Sequence, residues 1–385
     1  VLFGLVSAAT FTVVQPRLQK KLNPQKPDQV TFPEDEDGTD AADGEDADAE
    51  VQDPVIIQEK VELQLSDYAS LFSKMSALAA SSSRSLVTVT SATDETDWFN
   101  ELLESKTHGT GVLIADNGME YLILTEQRIV KGADRISVTF SDTAVAEAQV
   151  KAYDGNTGLA VLCVNKQDLE ESTKKVISIA ELGNSNLVKK GAPIIAAGSP
   201  MEYDNAAMFG NITSQSNSVA KADASYQILT TDIIGSTNGT GVLLNLDGQV
   251  VGIISQEAGA DLQPGTVTAF AVSDIKSLIE KLSNGGEIAY AGIRGKDVTT
   301  AIAEASGMPK GVYVSVDMDS PAMQAGIQNG DIITAVNNVP VENMKTIQNY
   351  LLDFSPEQAL NLTIMRQGKD EYVEMNYVVT LGQLK

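Results

Sequence analysis

Residues 109–130 read GTGVLIADNGMEYLILTEQRIV. Two apolar runs, Gly111–Ile114 and Tyr121–Leu124, stand on either side of a turn rich in Asp, Asn and Gly, so both read as β-strands. The pattern continues outward. Ser85–Thr90 (SLVTVT) precedes it, and Ile136–Phe140, Leu159–Val164, Pro193–Ala197, Thr240–Leu244 and Val250–Ile254 follow, each closed off by turn residues. Many short strands at this spacing predict a β-barrel or sandwich. Helices bracket the series. Between Val61 and Ala80, Leu63, Leu65, Tyr68, Leu71, Phe72, Met75 and Leu78 recur every three or four residues, the signature of an amphipathic helix. At the other end Ile275, Leu278, Ile279 and Leu282 line one face of a helix that Ser273 is placed to cap, and Asn284-Gly285-Gly286 ends it and marks a domain boundary.

Beyond that boundary Gly311–Val316 (GVYVSV) is a strand, and residues 320–333 read SPAMQAGIQNGDII. Ser320 is an N-cap with Pro321 at the first helical position, Gly326 stops the helix, and Gly330-Asp331 turns the chain into a strand. Lys345–Phe354 reads as a further helix, with Ile347 and Leu351 four residues apart on one face.

The N-terminal part is different. Residues 1–16 open with VLFGLVSAATFTVV, apolar and uncharged, read as the outer part of a transmembrane anchor although shorter than the roughly 20 residues a span requires. Arg17, Lys20 and Lys21 follow it; taken alone they would favour a cytoplasmic C-terminal side. Residues 17–60 form an acidic linker whose stretch PEDEDGTDAADGEDADAE is expected to be disordered and self-repelling, since it cannot bury enough surface to offset its ordering entropy. The EF-hand spacing is absent from it, and no metal site or cofactor is expected.

The 385 residues allow two or three domains with a sizeable core. The net charge of −25 argues against nucleic acid as a partner, because phosphate recognition needs clustered Lys and Arg. The single cysteine, Cys163, excludes an intrachain disulfide and lies in an apolar strand, where it reads as a small core residue.

Several words of the sequence together resemble the HtrA/Deg family, trypsin-like serine proteases followed by PDZ domains. They are Gly109-Thr110-Gly111-Val112, Ile123–Val130 (ILTEQRIV), Asp154–Leu162 (DGNTGLAVL), Gly191–Pro200, Thr231–Asn245 (TDIIGSTNGTGVLLN) and Gly248–Ile253. The resemblance implies a mainly β fold, a chymotrypsin/trypsin-like double β-barrel over residues 61–284, followed by an α+β PDZ domain over 287–385. It also implies a bacterial envelope protein whose folded part lies outside the cytoplasm, here a single-pass cell-membrane protein.

The same alignment of words exposes three departures. Arg128 stands at the family's catalytic histidine, Gly158 at the aspartate and Gly239 at the nucleophilic serine. Acyl transfer needs a hydroxyl, a neutral base beside it and a carboxylate that orients the base. Glycine supplies neither hydroxyl nor carboxylate, and a guanidinium stays protonated. No catalytic residue is therefore assigned. The remaining candidates are His108, the lone imidazole, the hydroxyls of Ser236 and Thr240, and Lys131. Thr237 replaces a glycine of the family's oxyanion loop. Arg128 itself could pair with a peptide carboxylate.

In the PDZ region Tyr290-Ala291-Gly292-Ile293 resembles the family's carboxylate-binding loop. The resemblance implies that a peptide C-terminus adds as a strand with its carboxylate on this loop, while Ile347 and Leu351 line the side-chain pocket. The expected function is thus a membrane-tethered, non-catalytic HtrA-like protein that binds peptide C-termini or unfolded proteins and acts as a chaperone or regulator of active paralogues, in homo- or hetero-trimers. The alternative is an active endopeptidase with a rearranged site.

Overall fold

The computed structural model describes residues 27–35, 64–96, 102–262 and 264–383. Helix α1 (Leu65–Ser82) leads into strands β1 (Leu86–Thr96), β2 (Leu102–Asp116) and β3 (Glu120–Glu126). The one-turn helix α2 (Gln127–Val130) follows, then β4 (Arg135–Thr139), β5 (Val145–Glu147), β6 (Gln149–Asp154) and β7 (Leu159–Asn165). These strands hydrogen-bond in the order β5-β4-β1-β2-β3-β7-β6. The turn predicted at residues 116–118 joins β2 to β3, with the Asn117 side chain accepting from the N–H groups of Met119 and Glu120 at 3.0 and 2.7 Å.

Helix α3 (Glu171–Val176) connects to a second set of strands: β8 (Pro193–Ser199), β9 (Ala206–Lys221), β10 (Ala224–Ile234), β11 (Thr240–Leu244), β12 (Val250–Ile254) and β13 (Thr266–Ala271). They close into a barrel in the order β10-β13-β12-β11-β8-β9. Closure leaves no unpaired edge, and the inward apolar side chains, among them Ile194, Leu229, Leu243 and Val251, fill the interior. The two sheets are not separate bodies. One core cluster runs from Leu122, Leu124 and Leu159 of the first sheet to Val242 and Phe270 of the second, and on to Ile275, Leu278, Ile279 and Leu282 of helix α4 (Val272–Ser283).

The cap of α4 differs from the sequence expectation. Ala271 occupies the N-cap position, and the Ser273 hydroxyl accepts from the Ser185 N–H at 2.9 Å and donates to Asp35 at 2.5 Å. Asn284 ends the helix as expected.

Beyond α4, strands β14 (Ala289–Tyr290), β15 (Ile293–Val298), β16 (Gly311–Val316), β17 (Ile332–Val336), β18 (Val339–Pro340), β19 (Ala359–Gln367), β20 (Tyr372–Thr380) and β21 (Gly382–Gln383) alternate with helices α5 (Thr300–Ser306), α6 (Pro321–Ala325) and α7 (Met344–Asp353). They enclose a separate core built on Val312, Ile333, Ile347, Leu360, Leu362 and Ile364. The predicted caps are present: the Ser320 hydroxyl accepts from the Met323 N–H at 3.2 Å, and Gly326 ends α6 at φ 103°.

One expectation changes at the N-terminus. The anchor read at residues 1–16 lies outside the described residues. Among the described residues no helix is long and apolar enough to cross a membrane. Of the stretch read as a disordered acidic linker, residues 27–35 are folded onto the body. Val30 exchanges hydrogen bonds with the Asn284 side chain at 3.0 and 2.8 Å, the Phe32 N–H donates to Glu280 at 3.0 Å, and Asp35 pairs with Lys276 at 2.6 Å. The remainder of that linker lies outside the described residues. The helix read from Val61 begins at Leu65, and only Met75 and Ala79 of its residues are buried.

Candidate functional site

Arg128 lies on α2, directly after β3, so the strand end aims it at the cleft between the two sheets. Its Nε pairs with Glu126 at 2.5 Å, and its Nη2 donates to the Asn238 carbonyl at 2.9 Å. Burial lifts the Glu126 carboxyl to about 7, against the pull of the Arg128 charge. The guanidinium thus ties the end of β3 to the loop between Ile234 and Thr240.

Gly158 lies at the end of the turn between β6 and β7, at φ 68°. The turn is held by Asp154, a buried carboxylate that accepts from the Thr157 N–H and hydroxyl at 2.9 and 2.7 Å. The Gly158 carbonyl takes the N–H of Gln127 at 2.6 Å. Gly158 therefore meets the helix that carries Arg128 through this backbone hydrogen bond. No side chain orients residue 128 from this side.

In the loop between β10 and β11 the Ser236 N–H donates to the Pro200 carbonyl at 2.9 Å, and the Gly239 N–H donates to the Ser236 carbonyl at 2.9 Å. A Cβ at Gly239 would lie 2.3 Å from the Pro200 carbonyl oxygen. The backbone leaves no room for a side chain at residue 239. The residue 239 amide is hydrogen-bonded within its own loop.

The other sequence candidates are scattered. The Ser236 hydroxyl bonds the Glu202 carboxylate. Thr240 is buried, and its Oγ1 accepts from the Thr110 N–H at 2.8 Å. His108 is exposed on β2 opposite Thr90. Lys131 lines a cleft of about 190 Å³ together with Arg128, Gly158 and Lys221. A second cleft of about 310 Å³, lined by Thr237, Asn238, Gln256 and Glu257, lies across Arg128. Cys163 is half-buried, and burial pushes its thiol up.

The loop at Tyr290–Ile293 has a distinct geometry. The N–H groups of Ala291, Gly292 and Ile293 all donate to the carboxylate of Asp223, at 2.7, 3.0 and 2.8 Å. Three consecutive donors converging on one carboxylate form an anion-binding nest. Gly292 is required there: its φ is 81°, and a Cβ would lie 2.2 Å from that of Ser320. The SPAMQAG word underpins the nest, since the Ala322 N–H donates to the Ala291 carbonyl at 2.9 Å. Tyr290 is half-buried, and its hydroxyl is 3.4 Å from Asp317. Ile347 and Leu351 are buried in the core of this second domain. Sequence reasoning missed Asp223. Its only local signal was an Ala-Asp turn between two strands.

A trypsin-like sheet pair followed by a PDZ-type domain defines the class, and comparison with known proteins agrees. A trypsin-like peptidase domain model matches residues 109–253, and a PDZ domain model matches 312–366. The chain is 27% identical over 290 residues to a serine protease Do-like HtrA of Lactobacillus helveticus, covering 70% of this chain and 68% of that one. It is 29% identical over 290 residues to a probable periplasmic serine endoprotease DegP-like of Pseudomonas savastanoi, covering 73% of this chain and 57% of the relative's length. Among solved structures, an HtrA-type protease AlgW with a decapeptide superposes with a TM-score of 0.58 at 20% identity, over 80% of this chain and 98% of that one. The chain belongs to the HtrA family.

The expectation of a single-pass cell-membrane location is corrected. Among the described residues no helix could cross a membrane, and the DegP-like relatives are named periplasmic.

Proposed function

We propose that this chain is a non-catalytic HtrA-family protein that binds peptide C-termini, or unfolded proteins presenting them, on the nest at Ala291–Ile293. The observation that carries the binding reading is the convergence of three backbone N–H groups on one carboxylate within 3.0 Å. A peptide α-carboxylate presents the same pair of oxygens, and the adjoining strand β15 offers an edge for an added strand. The non-catalytic reading is supported by Arg128, Gly158 and Gly239 at the triad positions and by the backbone packed over the nucleophile's place. The family resemblance adds trimers, of this chain alone or with active paralogues, as the assembly to look for.

A second reading, an active endopeptidase, draws on the relatives, which are named serine proteases. Its best available hydroxyl is Ser236, which already bonds Glu202 and has no imidazole beside it among its hydrogen-bond partners. Incubating the purified chain with casein, with a fluorophosphonate probe in parallel and an active HtrA as control, separates the two. Neither cleavage nor labelling is expected. Cleavage that survives repurification and disappears in Ser236→Ala would establish the second reading.

A further inference from the structure

The nest is already filled, and the filler comes from the other domain. Asp223 sits at the tip of the β9–β10 hairpin of the barrel, in the two-residue turn between the paired Lys221 and Ala224. It takes φ 61°, a left-handed conformation that Asp tolerates better than most side chains. Its carboxylate is buried with the three nest N–H groups. Its own N–H donates to the Ile293 carbonyl at 2.6 Å, so the tip also pairs with the start of β15 as an added strand would. The next residue but one, Ser225, donates its N–H to the Gln348 side chain on α7 at 3.2 Å. The tip therefore contacts the nest, the strand and the helix that bound the expected groove, and Asp223 does the work of a ligand's carboxylate.

We propose that the β9–β10 tip is an internal ligand of the PDZ nest, and that a peptide C-terminus binds only by displacing Asp223. This rests on the binding reading above, in which the nest receives a carboxylate. Two oxygens cannot share three donors already at 2.7–3.0 Å with a second carboxylate, and two like charges at that distance would repel. Occupancy of the nest by the tip lowers the apparent affinity for any external C-terminus by the fraction of time the nest stands open.

The test uses the full chain and an equimolar pool of fluorescent decapeptides ending in each apolar residue, with the same pool amidated at the C-terminus. Asp223→Gly is the variant of choice, because glycine keeps the left-handed turn and removes only the carboxylate. The carboxylate pool should bind Asp223→Gly about tenfold or more tighter than the native chain. The amidated pool should bind neither. A second measurement needs no variant: trypsin cutting after Lys221 in the native chain should accelerate when the carboxylate pool is added, and stay unchanged with the amidated pool. Equal affinity of native chain and variant for the carboxylate pool, with the amidated pool still rejected, would overturn the internal ligand and leave the nest as a free carboxylate site. Failure of both chains to distinguish carboxylate from amide would remove the binding reading and the competition together.

Discussion

At Gly239 an added Cβ would meet the Pro200 carbonyl oxygen at 2.3 Å, backbone against backbone. Placing a serine there is therefore a steric insertion. Gly239→Ser should cost about 1–3 kcal/mol, the range for overpacking, read as a lowered denaturation midpoint. Even the triple change Arg128→His, Gly158→Asp, Gly239→Ser should leave the fluorophosphonate probe unreacted, because the amide at residue 239 already donates to Ser236. Glu126 gives a second expectation at this scale. Its ordinary value is 4.5, and burial lifts it to about 7, so the folded chain holds this proton more tightly than the unfolded one. The stability it contributes is fully present below about pH 4.5 and is lost as pH rises through about 7, on the order of 3 kcal/mol. Glu126→Gln should flatten the fall in melting temperature between those pH values. An unchanged slope would place the titrating group elsewhere.

At the scale of elements, capping and turn chemistry explain most of what forms. The Ser320 cap and the Gly326 stop appear as their residue types require, and α6 they define supports the nest from below. Ser320→Ala should lower stability by about 1 kcal/mol, and, because Ala322 holds the Ala291 carbonyl, should also speed hydrogen exchange at the nest amides. Asp331, in the same word, is buried and takes a two-pronged pair from Arg366 at 2.7 Å. Asp331→Ala removes both carboxylate bonds of a partly exposed guanidinium and should cost about 1–3 kcal/mol, visible as early melting of the second domain. Ser273 does not cap α4 because it is already the second residue of a helix whose start is set by the strand before it. Periodicity located the helix, while packing chose its first residue. The apolar stripe of α1 was read correctly as helical, yet Leu65 and Tyr68 stay exposed, since periodicity states which face is apolar and not what covers it.

In the whole molecule the contacts that join the parts lie far apart in sequence. Lys281 of α4 donates to the Leu352 and Phe354 carbonyls at the end of α7, at 2.7 and 2.5 Å, and Lys345 pairs with Asp274 at 3.1 Å. Lys281→Met should loosen the PDZ domain from the barrel, so that calorimetry resolves two transitions where the native chain shows closer coupling. Residues 27–35 clamp the same helix from the other side through Asp35–Lys276 and Asn284. The mainly β fold class and the order of a trypsin-like part followed by a PDZ part were legible along the chain, because strand periodicity, caps and loop words are local properties of residue type. What no local pattern could announce is the closure of the Pro200 carbonyl over Gly239, the docking of an acidic segment on α4, and the seating of Asp223 in a nest 68 residues away. The first two depend on how loops and segments distant in sequence meet in the completed protease-like part, and the third on which surfaces the barrel and the PDZ domain present to each other. Burying a carboxylate there is tolerated only because three amides from another domain are in place to receive it.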